Sequence, residues 1–254
     1  MNWVHFVGEG RCGHTIISAI LDSHPNASIS EEEKPVSRWC RDPAVWTRDT
    51  IIARTINTGL GKERKAIVAS TGLTGLRTPK DNLLVMGDKC GWDAVNEFKK
   101  RGAPSTILTD FGKMVDMPVK VIHVSRHPLD NISAWVQSPK WIRLHPEFYP
   151  RARVLIRRYS RFYTAAEEVM EGQDVFHLRH EELCKNPLTE ITALCAWLNL
   201  PVQDEWLKMV SGAVYKKPNN RFEKEPWTEQ ELVDMVYWRI IDKYPSLEYY
   251  KKCT

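Results

Sequence analysis

Residues 8–15 read Gly-Glu-Gly-Arg-Cys-Gly-His-Thr, and they stand between a short apolar run and an amphipathic one. Glycines at 8, 10 and 13 ahead of a helix are a device for gripping an anion. Successive backbone N–H groups in such a turn form a concavity for negative charge, and the helix N-terminus adds its positive end. The spacing fits the nucleoside-triphosphate loop GxxxxGK[ST] except that His14 stands where the lysine would reach the β- and γ-phosphates. An imidazole is shorter and largely uncharged near neutrality. The nearest strong cation is Arg11, inside the turn. The expected ligand is therefore a phosphate or sulfate group, and not ATP with its metal ion.

A second exit of the same kind follows at residues 119–135, VKVIHVSRHPLDNISAW. A buried strand ends at Arg126, turns at Pro128 and enters a helix near Asp130. In an open α/β sheet the carboxyl ends of strands are where ligands bind, so Arg126 is expected beside the Arg11–Thr15 loop. His5 and His123 fall inside apolar strands and read as satisfied core residues.

The elements that must hold these residues alternate. Strands are expected at Trp3–Val7, Leu83–Met86, Val119–Ser125 and Val175–Leu178, with long helices over 148–171 and 229–243 and a shorter one over 187–199. Asp42-Pro43 and Thr228 read as helix starts, the latter with Glu231 three residues on; His24-Pro25 and Leu200-Pro201 read as stops. The fold class is α/β: a P-loop-like open parallel sheet flanked by helices. With 254 residues and no linker or repeat, a single domain over 1–254 is expected.

The net charge of +4 suits an anionic ligand, but the basic residues are scattered among acids and do not point to nucleic acid. No run approaches the roughly 18 apolar residues of a membrane span. The first strand begins at the N-terminus and leaves no room for a signal peptide. Six cysteines without a CxxC pair suggest a reduced, cytoplasmic setting, and no metal-ligand spacing occurs.

Strand-GxxRxGxT-helix followed by strand-SRHPxDNxxxW resembles the sulfotransferases that use 3′-phosphoadenosine 5′-phosphosulfate. Gly87-Asp88-Lys89 is similar to the GDK element of that family, Leu178–Leu183 with Asn186-Pro187 to its LRYEDL…P segment, and Cys195–Pro201 to its CxFLGLP helix end. The resemblance implies the sulfotransferase fold and that co-substrate, with no metal. It implies that Arg11 contacts the 5′-phosphosulfate, with backbone donors from Cys12, Gly13, His14, Thr15 and Ile16. Arg126 would hold the 3′-phosphate. Ser133 would share it, although the family serine falls one residue later, at Ala134, about 100° away around a helix. His180 stands where the family has an adenine-contacting tyrosine, and Arg221 falls in the loop that closes over the 3′-phosphate. Cys12 and His14 replace hydroxyl residues of the family.

Sulfuryl transfer needs a base for the acceptor and positive charge on the leaving phosphate. Ser30-Glu31-Glu32-Glu33 after His24-Pro25 resembles the glutamate-base members, such as the protein-tyrosine sulfotransferases. The base maps onto Glu32, with Glu31 and Glu33 as the alternatives in register. Lys89 would stabilise the leaving oxygen, and His14 ranks below Glu32 as a base. Trp39, Trp46, Trp135, Trp141, Phe148 and Tyr149 fall in segments expected to line the acceptor pocket. The acceptor is read as a small molecule, aromatic or cationic. A homodimer is an open expectation. Two rival functions remain at this point: a P-loop kinase, and a non-catalytic protein that binds a nucleotide or anion.

Overall fold

The computed structural model describes residues 1–58, 73, 82–102, 106–216, 222, 227 and 229–252. Five strands, β1 (Asn2–Val7), β2 (Ala27–Ser30), β3 (Val85–Asp88), β4 (Val119–Ser125) and β5 (Asp174–Arg179), form one sheet in the order β2-β3-β1-β4-β5. Every pairing is parallel. The central strand shows why the sequence folds this way. Side chains of a strand alternate between its faces, and in β1 both faces are buried and, His5 apart, apolar: Trp3 and Val7 enter one core, Val4 and Phe6 the other. Such a strand is stable only with helices on both sides. The first core is covered by helices Ile107–Val115, Pro128–Val136 and Phe148–Met170, the second by His14–Ser23, Pro187–Leu198 and Asp204–Gly212. No described helix is long and apolar enough to cross a membrane.

Four expectations are corrected. The strand expected over 83–86 runs from Val85 to Asp88, because pairing with β1 and β2 continues to Asp88 (His5 opposite Asp88, Ser30 opposite Asp88). Asp42-Pro43 does not start a helix: Asp42 ends the helix Pro35–Arg41, its carboxylate accepts the Val45 N–H at 3.3 Å, and the next helix begins at Arg48. The helix expected over 229–243 is α-helical only from Gln230 to Val236 and continues as a π-helical turn, Tyr237–Ile241; Thr228 lies outside the described residues. His5 is buried but not satisfied, since neither ring nitrogen has a hydrogen-bond partner among the described residues. The two stops are as read, at Ser23 and at Leu198, the latter closed by Asn199 in the left-handed region.

Since all strands are parallel, their five carboxyl ends open on one side of the sheet, each into a residue of interest. β1 leads to the Gly8–Gly13 loop, β2 to Glu31, β3 to Lys89, β4 to Arg126 and β5 to His180.

Candidate active site

The loop after β1 is held open by backbone geometry. Gly13 precedes the helix His14–Ser23 with φ at 105°, and no side chain caps that helix. Its leading N–H groups, those of Gly13, His14, Thr15 and Ile16, have no intrahelical acceptor. A Cβ at Gly13 would be strained by that φ and would lie 2.8 Å from His180 Nδ1. Arg11 itself adopts a left-handed φ of 73°, unusual for a residue with a side chain. Trp135 supports it from the helix Pro128–Val136: the indole lies 5.6 Å beneath the Arg11 guanidinium, and its N–H donates to the Gly10 carbonyl at 3.0 Å. The same ring sits where a Cβ at Gly10 would fall, 2.6 Å away. Asn131 donates to the Gly10 carbonyl (3.1 Å) and to Cys12 Sγ (3.0 Å), so the Cys12 side chain faces inward and is wholly buried. Burial pushes its thiol well up.

His14 packs beneath the loop, with Nε2 close to both Gly8 and Gly91 and without a hydrogen-bond partner among the described residues. Burial lowers its pKa to about 4, against a hydrogen bond to the Val7 carbonyl and with help from the Lys89 charge. The ring is therefore neutral near pH 7. The cation comes instead from the neighbouring strand: Lys89 Nζ lies 3.4 Å from Thr15 Oγ1, 2.8 Å from Glu31 and 3.6 Å from Glu32.

The three consecutive glutamates are separated by their partners. Glu31, 17% exposed, meets Lys89 and accepts from Ser18 Oγ at 3.2 Å. Glu33, 19% exposed, faces Arg38 (3.7 Å) and Arg54 (3.5 Å). Glu32, 46% exposed, adopts a left-handed φ of 55° and turns its carboxylate toward the loop. Asp88 fixes this turn. Its buried carboxylate accepts from Ser30 Oγ (2.7 Å) and from the N–H groups of Glu33, Lys34 and Cys90. Burial raises its pKa to about 6 against the pull of those four donors. Asp93 holds the next element in the same way, taking the N–H groups of Val36 and Ser37 at the start of Pro35–Arg41.

These residues enclose a cleft of about 130 Å³ walled by Arg11, His14, Thr15, Glu32, Lys89 and Trp92 together with loop glycines. Arg126 is buried at the end of β4, and its charge acts on Cys12, His180 and Glu181. Glu181 accepts the N–H of His127 at 2.8 Å and the hydroxyl of Tyr250 at 2.9 Å, bracing the turn that carries Arg126. His180, beside Gly13, has its pKa lowered to about 4 by burial and by Arg126.

Ser133 is not brought into this group. It is fully buried, donating to the Leu129 carbonyl and accepting from Trp227 Nε1, both at 2.8 Å. The helical phase that turns it from the loop is unaltered. Arg221 lies outside the described residues. Of the aromatic residues expected around the acceptor, Trp46 is buried beneath Arg38 and Arg54, while Trp135 serves the loop. Sequence reasoning missed Trp92, Asp88 and Asp93 as builders of the cleft. The run Gly-Asp-Lys-Cys-Gly-Trp after β3 was the available signal. Among the described residues no cluster of three His, Cys, Asp or Glu side chains is spaced to hold a metal ion.

Comparison with known proteins gives a family match over part of the chain. Residues 119–204 match the model described as the Sulfotransferase family. That segment includes Arg126 and His180 and stops short of Arg11, Glu32 and Lys89. A search of curated proteins finds no match. Among solved structures, mouse sulfotransferase SULT7A1 complexed with PAP is 11% identical and aligns over 100% of this chain and 89% of its own, with a TM-score of 0.53. A sulfotransferase from Alicyclobacillus acidocaldarius is 15% identical over 98% and 95% (TM-score 0.51). The sulfotransferase domain of the curacin biosynthetic pathway is 15% identical over 99% and 97% (TM-score 0.50). What these share with the chain is the sulfotransferase fold. The matched segment and the fold are consistent with the sulfotransferase family.

Proposed function

We propose that the chain transfers a sulfuryl group from 3′-phosphoadenosine 5′-phosphosulfate to a hydroxyl or amine of a small acceptor. One observation carries this reading: Arg11, Thr15, Lys89 and Glu32, delivered by three different strand ends, wall a single cleft. The residues fit such a donor. The uncapped helix N-terminus and Arg11 would hold the 5′-phosphosulfate, Arg126 the 3′-phosphate, and His180 the adenine; the mouse structure of this fold is complexed with PAP. When bound, that group supplies an activated sulfuryl on a phosphate leaving group.

The chain supplies the rest. Glu32, the most exposed carboxylate of its run, accepts the acceptor's proton. Lys89, shared between Thr15 and the glutamates, sets positive charge beside the loop where the leaving oxygen gains its charge. Glu31 and Asp88 are positioning residues, the first orienting Lys89 and the second holding the Glu32 turn. A P-loop kinase is not favoured, because the neutral His14 ring is turned to the Val7 carbonyl and offers no charge to a γ-phosphate. A cytoplasmic setting is supported by the five described cysteines, all of them thiols.

Two measurements test the reading. Calorimetry should show 3′-phosphoadenosine 5′-phosphate binding in preference to ATP–Mg²⁺; the reverse preference would overturn it. With labelled donor, Glu32→Gln should lower turnover by roughly 10²–10⁴-fold while nucleotide affinity stays within a few-fold. Unchanged turnover would remove Glu32 as the base. Separately, failure of the unsubstituted protein to modify any acceptor would bring back the non-catalytic alternative.

A further inference from the structure

Trp92 walls a second cavity as well, of about 230 Å³, completed by Glu9, Asn96, Lys99, Arg158 and Phe162. We propose that Lys99, Arg158 and Asn96 form a subsite for an acidic group carried by the acceptor. This rests on the sulfuryl-transfer reading and adds to it the acceptor's chemical class.

The cavity holds a local excess of positive charge with an open hydrogen-bonding edge. Glu9 is the one carboxylate among the described residues of the cavity wall, and it is already matched. It is nearly fully buried, accepts the Gly10 N–H at 2.9 Å, and meets Arg158 Nη2 at 3.1 Å. Both Glu9 oxygens are served by that single nitrogen, so Arg158 Nε and Nη1 have no partner among the described residues. The guanidinium is held flat by Trp135 at 4.7 Å and Trp141 at 5.8 Å, which leaves its edge available and its orientation fixed. Lys99 lies within reach of the Arg158 and Arg161 charges, and no ion pair among the described residues involves Lys99 or Arg161. Partial burial draws the Lys99 pKa down, Glu9 opposes it, and the two arginines add to the lowering. An anion in the cavity relieves that crowding. A carboxylate, sulfate or phosphate can take the arginine's fork, the ammonium and the Asn96 amide together, while Trp92 and Phe162 flank the rest of the molecule.

The acidic run on the other side of the cleft does not argue for a cationic acceptor. Glu31 is paired with Lys89, and Glu33 with Arg38 and Arg54. Only Glu32 faces the cleft, in the position of the proposed base.

The test titrates three acids, 4-hydroxybenzoate, 4-hydroxyphenylacetate and 3-(4-hydroxyphenyl)propionate, each against its own neutral amide, with and without 3′-phosphoadenosine 5′-phosphate. At least one acid should bind about tenfold tighter than its amide. Lys99→Met should abolish that preference and Lys99→Arg should restore it, with nucleotide affinity unchanged in both. Lys99 is exposed at the end of its helix, so these variants should fold. Equal binding of acid and amide in all three pairs, or a preference that survives Lys99→Met, overturns the subsite. The two readings fail separately. Nucleotide binding without acid preference removes the subsite alone, whereas acid preference without nucleotide binding removes the sulfuryl-transfer reading and leaves the subsite standing.

Discussion

On the side of Gly8–Thr15 the cleft is walled by backbone, whereas beyond Trp92 it is walled by side chains carried on two helices far apart in the chain. The first side owes its shape to left-handed φ values at Arg11 and Gly13 and to an uncapped helix start. Little can change there without moving the cradle itself. The second side owes its character to side-chain charge: Lys99, exposed and in no ion pair among the described residues, can be exchanged without touching the fold, whereas Arg158 also holds the buried Glu9. On the proposed function, the strained loop would hold the donor and the replaceable side chains would read the acceptor.

That contrast is open to attack at several points. Gly13→Ala adds one methyl group, yet it meets both the φ penalty and His180. It should cost about 3 kcal/mol in stability, in nucleotide binding, or divided between them, read by calorimetry and thermal melting. A combined cost below about 1 kcal/mol over the two measurements would break the comparison.

Protonation offers a second route. The His5 pKa is lowered to about 4 by burial, below the ordinary 6.5. Between those values the unfolded chain binds a proton that the native ring does not. The stability tied to neutral His5 is therefore complete above pH 6.5 and is lost as pH falls toward 4. Relative to the parent, His5→Leu should gain up to about 3 kcal/mol across that window, measured by denaturant melts at pH 7 and pH 4.5. A constant difference between the two proteins would remove the burial argument. His14 and His180, also lowered to about 4, should show no imidazole titration by NMR between pH 5.5 and 8. A midpoint near 6.5 at His14 would give the cradle a charge that the contrast denies it.

Smaller effects sharpen the boundary between the two sides. Trp135→Phe keeps the ring under Arg11 but removes the N–H that holds Gly10, and nucleotide affinity should fall about three- to tenfold. Unaltered affinity would mean that the loop stands without its brace. Ser133→Ala leaves Trp227 Nε1 without its acceptor and should cost about 1 kcal/mol of stability with nucleotide affinity unchanged. A tenfold loss of affinity instead would return Ser133 to the 3′-phosphate.

What could be read from the chain divides along the same line. β1, β4 and their exits at Arg11 and Arg126 were legible because an apolar run, a glycine or proline turn and a helix lie within about twenty residues of one another. β2 was not, since Ala-Ser-Ile-Ser is half polar; Ser28 and Ser30 are tied by hydrogen bonds to Thr55 and Gly87 and not by an apolar pattern. The Glu31–Glu33 run could be found but not resolved, because the cations that separate its members come from residues 38, 54 and 89. Asp42-Pro43 misled for a chemical reason: an aspartate before proline caps a turn as readily as a helix. Lys99 and Arg158 left no trace in spacing, being neighbours only through packing of their helices.

The place of β1 in the sheet has a consequence for how the molecule is made. It is the middle strand, paired with residues 85–88 on one side and 119–123 on the other. On the ribosome it emerges first and waits for both, a delay on the order of ten seconds at ordinary elongation rates. Through that interval a largely apolar hexapeptide with two open edges is exposed, a target for chaperones and for aggregation alike. The Gly8–Thr15 loop that follows it is braced by Asn131 and Trp135, which come later still.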